Sequence, residues 1–148
     1  MRVLVTGGAG FIGSHIVDAL VSRGDSVRVY DNFTSGKREN LAAVESKIEI
    51  VEGDIRDLPQ LDYYAAGCDV IFHEAAIVSV PYSIEHPQET HDVNIQGTLN
   101  VLVAAKRQGV KRVVFASSAA VYGQEPTLPK KESMRLEPVS PYGVEKAT

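Results

Sequence analysis

The sequence has 148 residues, a formal net charge of −4, 44% hydrophobic residues and a single cysteine, Cys68. A chain of this length fits one domain over residues 1–148 with a substantial hydrophobic core. The acidic balance disfavours a nucleic-acid partner, the lone cysteine excludes an internal disulfide, and the lack of a long apolar segment disfavours a membrane partner, so we expect a cytoplasmic protein.

Short runs rich in valine and isoleucine alternate with helical patterns along the chain. The runs predict five buried strands, at residues 3–5, 27–30, 48–51, 70–72 and 113–115. Periodicity predicts helices at residues 11–23 and 87–107, and more weakly at 37–44 and 57–66. This alternation predicts an α/β fold, a Rossmann-type doubly wound parallel sheet. Such sheets bind ligands beyond the carboxyl ends of their strands, where the strand order reverses.

A glycine-rich stretch, TGGAGFIGS, follows the first predicted strand. It matches G-x-G-x-x-G through Gly8, Gly10 and Gly13, and the preceding Gly7 also gives a G-x-x-G-x-x-G frame. Such glycines permit a tight turn and a close approach of the backbone to a pyrophosphate. The second strand ends at Asp31, eighteen residues beyond Gly13, where a carboxylate can accept ribose hydroxyls and repels a 2'-phosphate. The pattern favours NAD over NADP; the alternative is a simple turn with an N-capping aspartate.

Two further strand ends carry candidate residues. After the third strand, Asp54 could accept the amino group of adenine and the Ile55 amide could face a ring nitrogen. From spacing alone, Asp54 is at least as typical of a helix cap. After the fourth strand, Ala75 and Ala76 leave room for a cofactor, or they simply permit close packing.

The fifth strand and the last residues of the chain add hydroxyl, phenol and amine groups. Ser117 and Ser118 could project into the same crevice, although serines at strand ends often satisfy only local backbone groups. Ser140 can cap a helix that places Tyr142 and Lys146 about one turn apart. Tyr142 and Lys146 can be two solvated surface side chains, which the spacing alone favours. Alternatively, the ammonium group of Lys146 makes the phenol proton of Tyr142 labile.

Six motifs in this order, TGGAGFIGSH, DNFTSGKREN, GDIRD, DVNIQGT, SSAAVYG and PYGVEK, make the chain resemble a known family. The resemblance is to extended short-chain dehydrogenases/reductases of the NAD-dependent epimerase/dehydratase family, most closely the UDP-glucose 4-epimerase type. It implies NAD as cofactor, a UDP-sugar as substrate, and Ser118, Tyr142 and Lys146 as the catalytic group. With the glycines of the motif and this Tyr–Lys pair, the implied NAD-binding residues are Gly7, Gly10, Phe11, Ile12, Gly13, Asp31, Asn32, Phe33, Thr34, Ser35, Gly36, Asp54, Ile55, Ala75, Ala76 and Asn94.

The implied chemistry begins with the phenol of Tyr142. A free tyrosine titrates near 10, so a phenolate at neutral pH needs roughly 4 kcal/mol of differential stabilisation. Lys146 and an oxidised nicotinamide ring could supply it, while Ser118 orients the sugar oxygen. Dehydratases of the family typically carry an acidic pair directly after the strand-end Ser or Thr, whereas Ala119 and Ala120 follow here. The residues therefore favour epimerisation at carbon 4, or reduction of a keto sugar, over dehydration.

The resemblance also sets expectations about the whole protein. Family members are considerably longer, so we expect this chain to be the N-terminal, NAD-binding part of a larger enzyme, truncated before the last strands and the substrate domain. Relatives usually pair through the helix at 87–107, which predicts a homodimer with Val101, Leu102 and Ala105 as candidate contacts, although burial against the chain's own sheet explains these residues equally well. The histidines show no ligand spacing, so no metal site is predicted. A non-catalytic NAD-binding module is the alternative.

Overall fold

The computed structural model describes all residues from 1 to 148. The chain forms two compact units. The first unit comprises Met1–Ala75 and Gly97–Phe115, and the second comprises Ala76–Gln96 and Ala116–Thr148.

A five-stranded parallel sheet lies in the first unit. Its strands are β1 (Arg2–Thr6), β2 (Ser26–Asp31), β3 (Ile48–Glu52), β4 (Val70–His73) and β5 (Arg112–Phe115). They lie in the order β3-β2-β1-β4-β5, and the register pairs Val3 with both Val27 and Val70. All five predicted strands form, and the parallel doubly wound sheet is confirmed. The prediction that every strand is buried is wrong for β3 and β5, which are only partly buried because they lie at the two edges of the sheet. The strand order reverses between β1 and β4, so their carboxyl ends form the edge at which such folds bind ligands.

The chain has six α-helices. The first unit contains α1 (Phe11–Ser22), α2 (Leu58–Ala65) and α5 (Gly97–Arg107), and the second unit contains α3 (Val80–Glu85), α4 (Pro87–His91) and α6 (Pro141–Ala147). A π-helical turn, Asp92–Gln96, lies between α4 and α5, and short 3-10 turns occur at Arg38–Leu41, Glu45–Lys47 and Ala119–Tyr122. The helices α1 and α2 agree with the prediction. None of the helices combines the length and apolar character that a bilayer crossing requires.

Two of the predicted helices are wrong in detail. The segment at 37–44 forms tight turns, because its amides bond three residues back, as from Asn40 to Lys37 and from Val44 to Leu41. The segment at 87–107 is not one helix, since a π turn separates α4 from α5. Helix α3 was not predicted, although Ser79 caps it by accepting a hydrogen bond from the Tyr82 amide and Pro81 lies in its first turn.

One hydrophobic core of the first unit lies between α1 and the central strands. Nine buried residues form it: Val3, Val5, Ala9, Val17, Leu20, Val27, Val29, Leu41 and Val44. Complete burial of a valine or leucine side chain stabilises the folded state by about 1.5–3 kcal/mol. This packing fixes the start of α1 against the end of β1, where the glycine-rich turn lies.

Candidate functional site

Two glycines at the connection between β1 and α1, Gly7 and Gly13, have no room for a side chain. Gly7 has φ +69°, and a Cβ there would lie 2.6 Å from the Ala75 amide nitrogen. A Cβ on Gly13 would lie 2.2 Å from the Gly7 carbonyl oxygen. These neighbours are backbone atoms, which cannot move aside as a side chain does. The glycines therefore hold the turns after β1 and β4 in contact at the point where the strand order reverses.

Helix α1 begins with free amide groups. Its N-cap is Gly10, which has no side chain to accept a hydrogen bond, and the first helical bond runs from the Ser14 amide to the Gly10 carbonyl over 3.0 Å. The amides of Phe11, Ile12 and Gly13 thus have no acceptor within the helix. The same end carries the positive pole of the helix dipole, so an anion can bind there through three N–H groups.

Asp31, at the end of β2, ties two loops together. Its Oδ2 accepts from the Ala9 amide at 2.9 Å, and its Oδ1 accepts from the Phe33 amide at 2.8 Å. It caps no helix, which removes the alternative reading of this residue. A carboxylate has about four acceptor positions, so one remains on each oxygen, the number that the two hydroxyls of a ribose need. A Cβ on Gly36 would lie 2.8 Å from Asp31 Oδ1, so the loop requires glycine there.

The rest of the loop from 32 to 36 is mostly open to solvent. Asn32, Thr34 and Ser35 are exposed, whereas Phe33 is half-buried. Phe33 has φ +56°, an unusual conformation for a residue with a side chain. The Asn32 side chain turns the loop by accepting from the Thr34 amide at 3.1 Å. The predicted NAD-binding residues of this loop therefore surround Asp31.

Asp54 lies in the turn after β3 and is held by Arg56. The guanidinium donates from Nε to Oδ1 at 2.9 Å and from Nη2 to Oδ2 at 2.7 Å, and the Arg56 amide donates to Oδ1 at 2.9 Å. Asn32 Nδ2 donates to Oδ2 at 3.2 Å. The hydrogen bonds from Arg56 lower the pKa of Asp54 from 3.8 to about 2. Asp57 is the residue that caps α2, so the helix-cap reading of Asp54 is wrong.

Helix α5 supports the turn after β3 through hydrogen bonds to its backbone. Asn100 Nδ2 donates to the carbonyls of Ile55 and Arg56, both at 3.0 Å. Gly97 lets the Ile55 side chain pack on the helix, since a Cβ there would lie 2.5 Å from Ile55 Cδ1. Sequence reasoning missed Arg56 and Asn100. The only local signal was the short, charged motif GDIRD, which does not reveal a partner more than 40 positions away.

His73, at the end of β4, is buried between two threonines. Its Nδ1 lies 2.7 Å from Thr6 Oγ1 and its Nε2 lies 2.9 Å from Thr98 Oγ1. The ring thus joins β1, β4 and α5. The structure contains no group of three His, Cys, Asp or Glu residues that could hold a metal ion.

In the second unit, helix α6 carries Tyr142 and Lys146. Ser140 caps it by accepting from the Gly143 amide at 3.1 Å. Tyr142 is 8% exposed and Lys146 is 5% exposed, so they do not form a solvated surface pair. Lys146 Nζ donates to the Ala116 carbonyl at 3.0 Å. The phenol oxygen of Tyr142 has no hydrogen-bond partner in the protein and reaches solvent, because no fully buried side-chain oxygen or nitrogen lacks a partner.

Three polar contacts, two of them buried, hold α6 in place within the second unit. Ser83 Oγ accepts from the Tyr142 amide at 3.1 Å, and Ser117 Oγ donates to the Lys146 carbonyl at 2.9 Å. Glu145 Oε2 accepts from Asn94 Nδ2 at 2.7 Å. Ser117 therefore satisfies a backbone carbonyl, but one that lies 29 positions away and not a local one, as the alternative had it.

Asn94 lies in the π turn and also bonds to the segment after β4. Its Oδ1 accepts from the Ile77 amide at 2.9 Å, and its Nδ2 donates to the Ile77 carbonyl at 3.0 Å. The side chain thus fixes the conformation of the chain directly after Ala76. Its contacts with Ile77 and Glu145 make it a structural link within the second unit, in addition to its predicted role in the NAD site.

Ser118 begins the 3-10 turn at Ala119–Tyr122. Its Oγ accepts from the Ala120 amide at 3.2 Å, which leaves the hydroxyl proton to be donated elsewhere. This turn packs on α6, since a Cβ on Gly143 would lie 2.9 Å from the Ala120 carbonyl oxygen. The second unit thereby brings Ser118, Tyr142 and Lys146, the three residues of the predicted catalytic group, onto adjoining segments.

Comparison with known proteins shows a consistent set of similarities. Residues 3–148 match the model of the NAD dependent epimerase/dehydratase family. The chain is 43% identical over 150 residues to the UDP-glucose 4-epimerase of Mycolicibacterium smegmatis, covering 99% of this chain and 48% of the relative. It spans about half the length of the curated relatives it matches.

Two solved structures are equally similar and differ in reaction. One is the UDP-N-acetylglucosamine 4-epimerase of Methanobrevibacter ruminantium in complex with UDP-N-acetylmuramic acid, with TM-score 0.93 and 44% identity over 99% of this chain and 47% of that one. The other is a dTDP-glucose 4,6-dehydratase from Streptomyces venezuelae with NAD bound, with TM-score 0.93 and 44% identity over 99% and 48% of the two chains. Overall similarity therefore does not separate epimerase from dehydratase.

Proposed function

The chain belongs to the NAD dependent epimerase/dehydratase family, and from this premise we propose that it carries the NAD-binding and catalytic residues of a nucleotide-sugar 4-epimerase. The substrate class is a UDP-sugar, as in the epimerases that it resembles. In this proposal the glycine-rich turn, Asp31 and Asp54 bind the dinucleotide, and Ser118, Tyr142 and Lys146 act on the sugar.

The first unit fits NAD in three respects. The free amides at the start of α1 can receive a pyrophosphate, and the tight glycine turn leaves the backbone open to it. Asp31 keeps one acceptor position on each oxygen for the adenosine ribose. When bound, NAD supplies the two-electron acceptor that takes a hydride from carbon 4 of the sugar and returns it to the opposite face of the resulting ketone.

The side chains of the second unit supply the proton transfer. Tyr142 takes the proton from the sugar 4-hydroxyl as the ketone forms and gives it back as the alcohol forms again. Lys146, one helical turn along α6, brings a positive charge to this helix, and its Nζ is held by the Ala116 carbonyl. Ser118 already accepts from a backbone amide, so its own proton is free to hydrogen-bond the sugar oxygen.

The single observation that favours epimerisation over dehydration is the pair Ala119 and Ala120. Dehydration needs an additional acid and base to remove water from the sugar, and methyl side chains cannot transfer protons. These alanines directly follow Ser118 in the turn that packs on α6. The similarity to a dTDP-glucose 4,6-dehydratase keeps dehydration as the second candidate.

The decisive experiment replaces Tyr142 with phenylalanine in the full-length protein and supplies UDP-galactose. We expect turnover to UDP-glucose to fall by roughly a thousandfold while NAD remains bound, because only the proton-transfer group is removed. Tyr63→Phe is the matched control, since Tyr63 is 74% exposed on α2 and should leave turnover unchanged. Retained turnover in Tyr142→Phe contradicts the proposed role, and release of a 4-keto-6-deoxy sugar by the wild type supports the dehydratase instead.

We also propose that two copies pair through the surface of α5. Leu99 and Leu102 are each about half exposed on this helix, at 50% and 49%. Val101 and Ala105, predicted as contacts, are buried within the protein and cannot face a partner. The proposed contact surface is therefore narrower than the sequence pattern implied, and it centres on the two leucines.

A further inference from the structure

The acceptor positions of Asp54 are all used within the chain. Three of its four hydrogen bonds come from one residue, Arg56, through the amide, Nε and Nη2. The fourth comes from Asn32 Nδ2 and is the longest, at 3.2 Å. A carboxylate offers about four acceptor positions, so this one is in full use.

The four donors are not equally easy to replace. The Nε and Nη2 groups of Arg56 form a two-pronged, charge-assisted contact, which is the strongest kind of hydrogen bond that a carboxylate makes. The Asn32 donor is an uncharged planar NH2 group on an exposed loop. The Asn32 position is therefore the one that an incoming ligand can take most easily, and an uncharged NH2 donor replaces its hydrogen bond in kind.

The exocyclic amino group of adenine is such a donor. We propose that Arg56 is the residue that makes this turn selective for adenine, by occupying three acceptor positions of Asp54 and leaving one, fixed in place, for a single NH2 group. The inference rests on the proposed binding of NAD. Arg56 itself is a positioning residue and need not touch the base.

The support of the turn from α5 makes this selectivity rigid. Asn100 Nδ2 donates to the carbonyls of Ile55 and Arg56, so the backbone on both sides of the Ile55–Arg56 peptide is anchored. A carboxylate is ionised at neutral pH even at its ordinary pKa, and Arg56 lowers the pKa of Asp54 further, to about 2, so Asp54 only accepts hydrogen bonds and cannot donate to a base carbonyl. A 6-oxo purine therefore presents an acceptor to an acceptor, which is unfavourable.

The test compares NAD with its deamino analogue, in which hypoxanthine replaces adenine and a carbonyl oxygen replaces the amino group. Calorimetric titration of the full-length wild-type protein should show at least tenfold tighter binding of NAD. In Arg56→Ala the ratio should fall below about threefold, because water can then enter the vacated acceptor positions of Asp54 and bridge to either base. Arg56→Lys keeps the charge but not the two-pronged contact, and its ratio should lie between those of the wild type and Arg56→Ala.

The controls separate this inference from the proposed function. Arg107→Ala removes the same charge from an exposed position on α5 and should keep the wild-type ratio. A ratio in Arg56→Ala equal to that of the wild type overturns the selectivity role while leaving NAD binding intact. A wild-type protein that binds neither dinucleotide contradicts the proposed function as well. Equal binding of both dinucleotides by the wild type shows that Asp54 does not recognise the amino group.

Discussion

Alanine substitutions at Gly13 and Gly10 should separate the two reasons for which the turn after β1 needs glycine. Gly13 lies inside α1, where alanine is normally favoured by about 1 kcal/mol. Its new Cβ, however, would lie 2.2 Å from the Gly7 carbonyl oxygen, 2.8 Å from Gly8 Cα and 2.9 Å from the Gly7 carbonyl carbon. Carbon contacts are comfortable near 3.5 Å, so the start of α1 must move by about 1 Å.

The magnitude follows from what the methyl group meets. Backbone shifts forced by overpacking cost about 1–3 kcal/mol, and all three neighbours of the new Cβ are backbone atoms, so we expect Gly13→Ala to lower the free energy of unfolding by about 2 kcal/mol net of helix propensity. For a chain of this length the midpoint of thermal unfolding falls by about 6 °C. Gly10 has φ −74° and its Cβ would meet only the Gly7 carbonyl oxygen, at 3.2 Å, so Gly10→Ala should cost less than about 1 kcal/mol.

The assay measures stability and NAD affinity separately. Thermal and urea unfolding without ligand should rank wild type and Gly10→Ala close together and Gly13→Ala well below. NAD titration should nevertheless show weaker binding by Gly10→Ala, by tenfold or more, because the middle glycine of the motif is the one that lets the backbone approach the pyrophosphate. An unfolding midpoint for Gly13→Ala equal to that of the wild type would refute the steric argument.

Two further predictions concern charge and assembly. The pKa of Asp54 is lowered to about 2, so the stability that its ionised form contributes is present above the ordinary carboxyl pKa of about 4 and is lost as the pH falls toward 2. Asp54→Asn should remove this contribution, which is at most about 2 kcal/mol. The urea midpoint of Asp54→Asn should therefore lie below that of the wild type at neutral pH and approach it on acidification. If α5 forms the dimer contact, Leu102→Asp should halve the mass in solution measured by light scattering. The control Leu128→Asp changes a side chain that is 78% exposed and should leave the mass unchanged. An unchanged mass in Leu102→Asp excludes the α5 surface as the dimer contact.

The sheet could be predicted from sequence because its signals are local. Each strand is a short apolar run, and the first is followed at once by a glycine motif that has a known structural consequence. The start of α3 also has a local signal, because Ser79 followed by Pro81 is a pattern typical of a helix start, although α3 was not predicted. The π turn at Asp92–Gln96 has no comparable local signal. A single π turn inserts one residue into the helical pattern, so the residues before and after it no longer share one face, and no residue type marks where this shift occurs.

The polar contacts that position the candidate site were beyond the reach of sequence reasoning for a different reason. Asn100 bonds to Ile55 across 45 positions, Asn94 bonds to Glu145 across 51, and Ser83 accepts from Tyr142 across 59. Nothing in the local pattern at either end identifies its partner. The residues expected to touch ligands belong to motifs, whereas the residues that hold them are distributed along the chain.

Helix α6 shows why this distinction matters for function. It has seven residues, and helices this short are marginal in water without packing. Its position is instead set by the Ser140 cap and by buried contacts to Ser83 and Asn94. Tyr142 and Lys146 owe their spacing to the helix but owe their burial to these partners. Loss of one buried partner should therefore displace Tyr142 and Lys146 together, because both side chains are positioned by the same seven-residue helix.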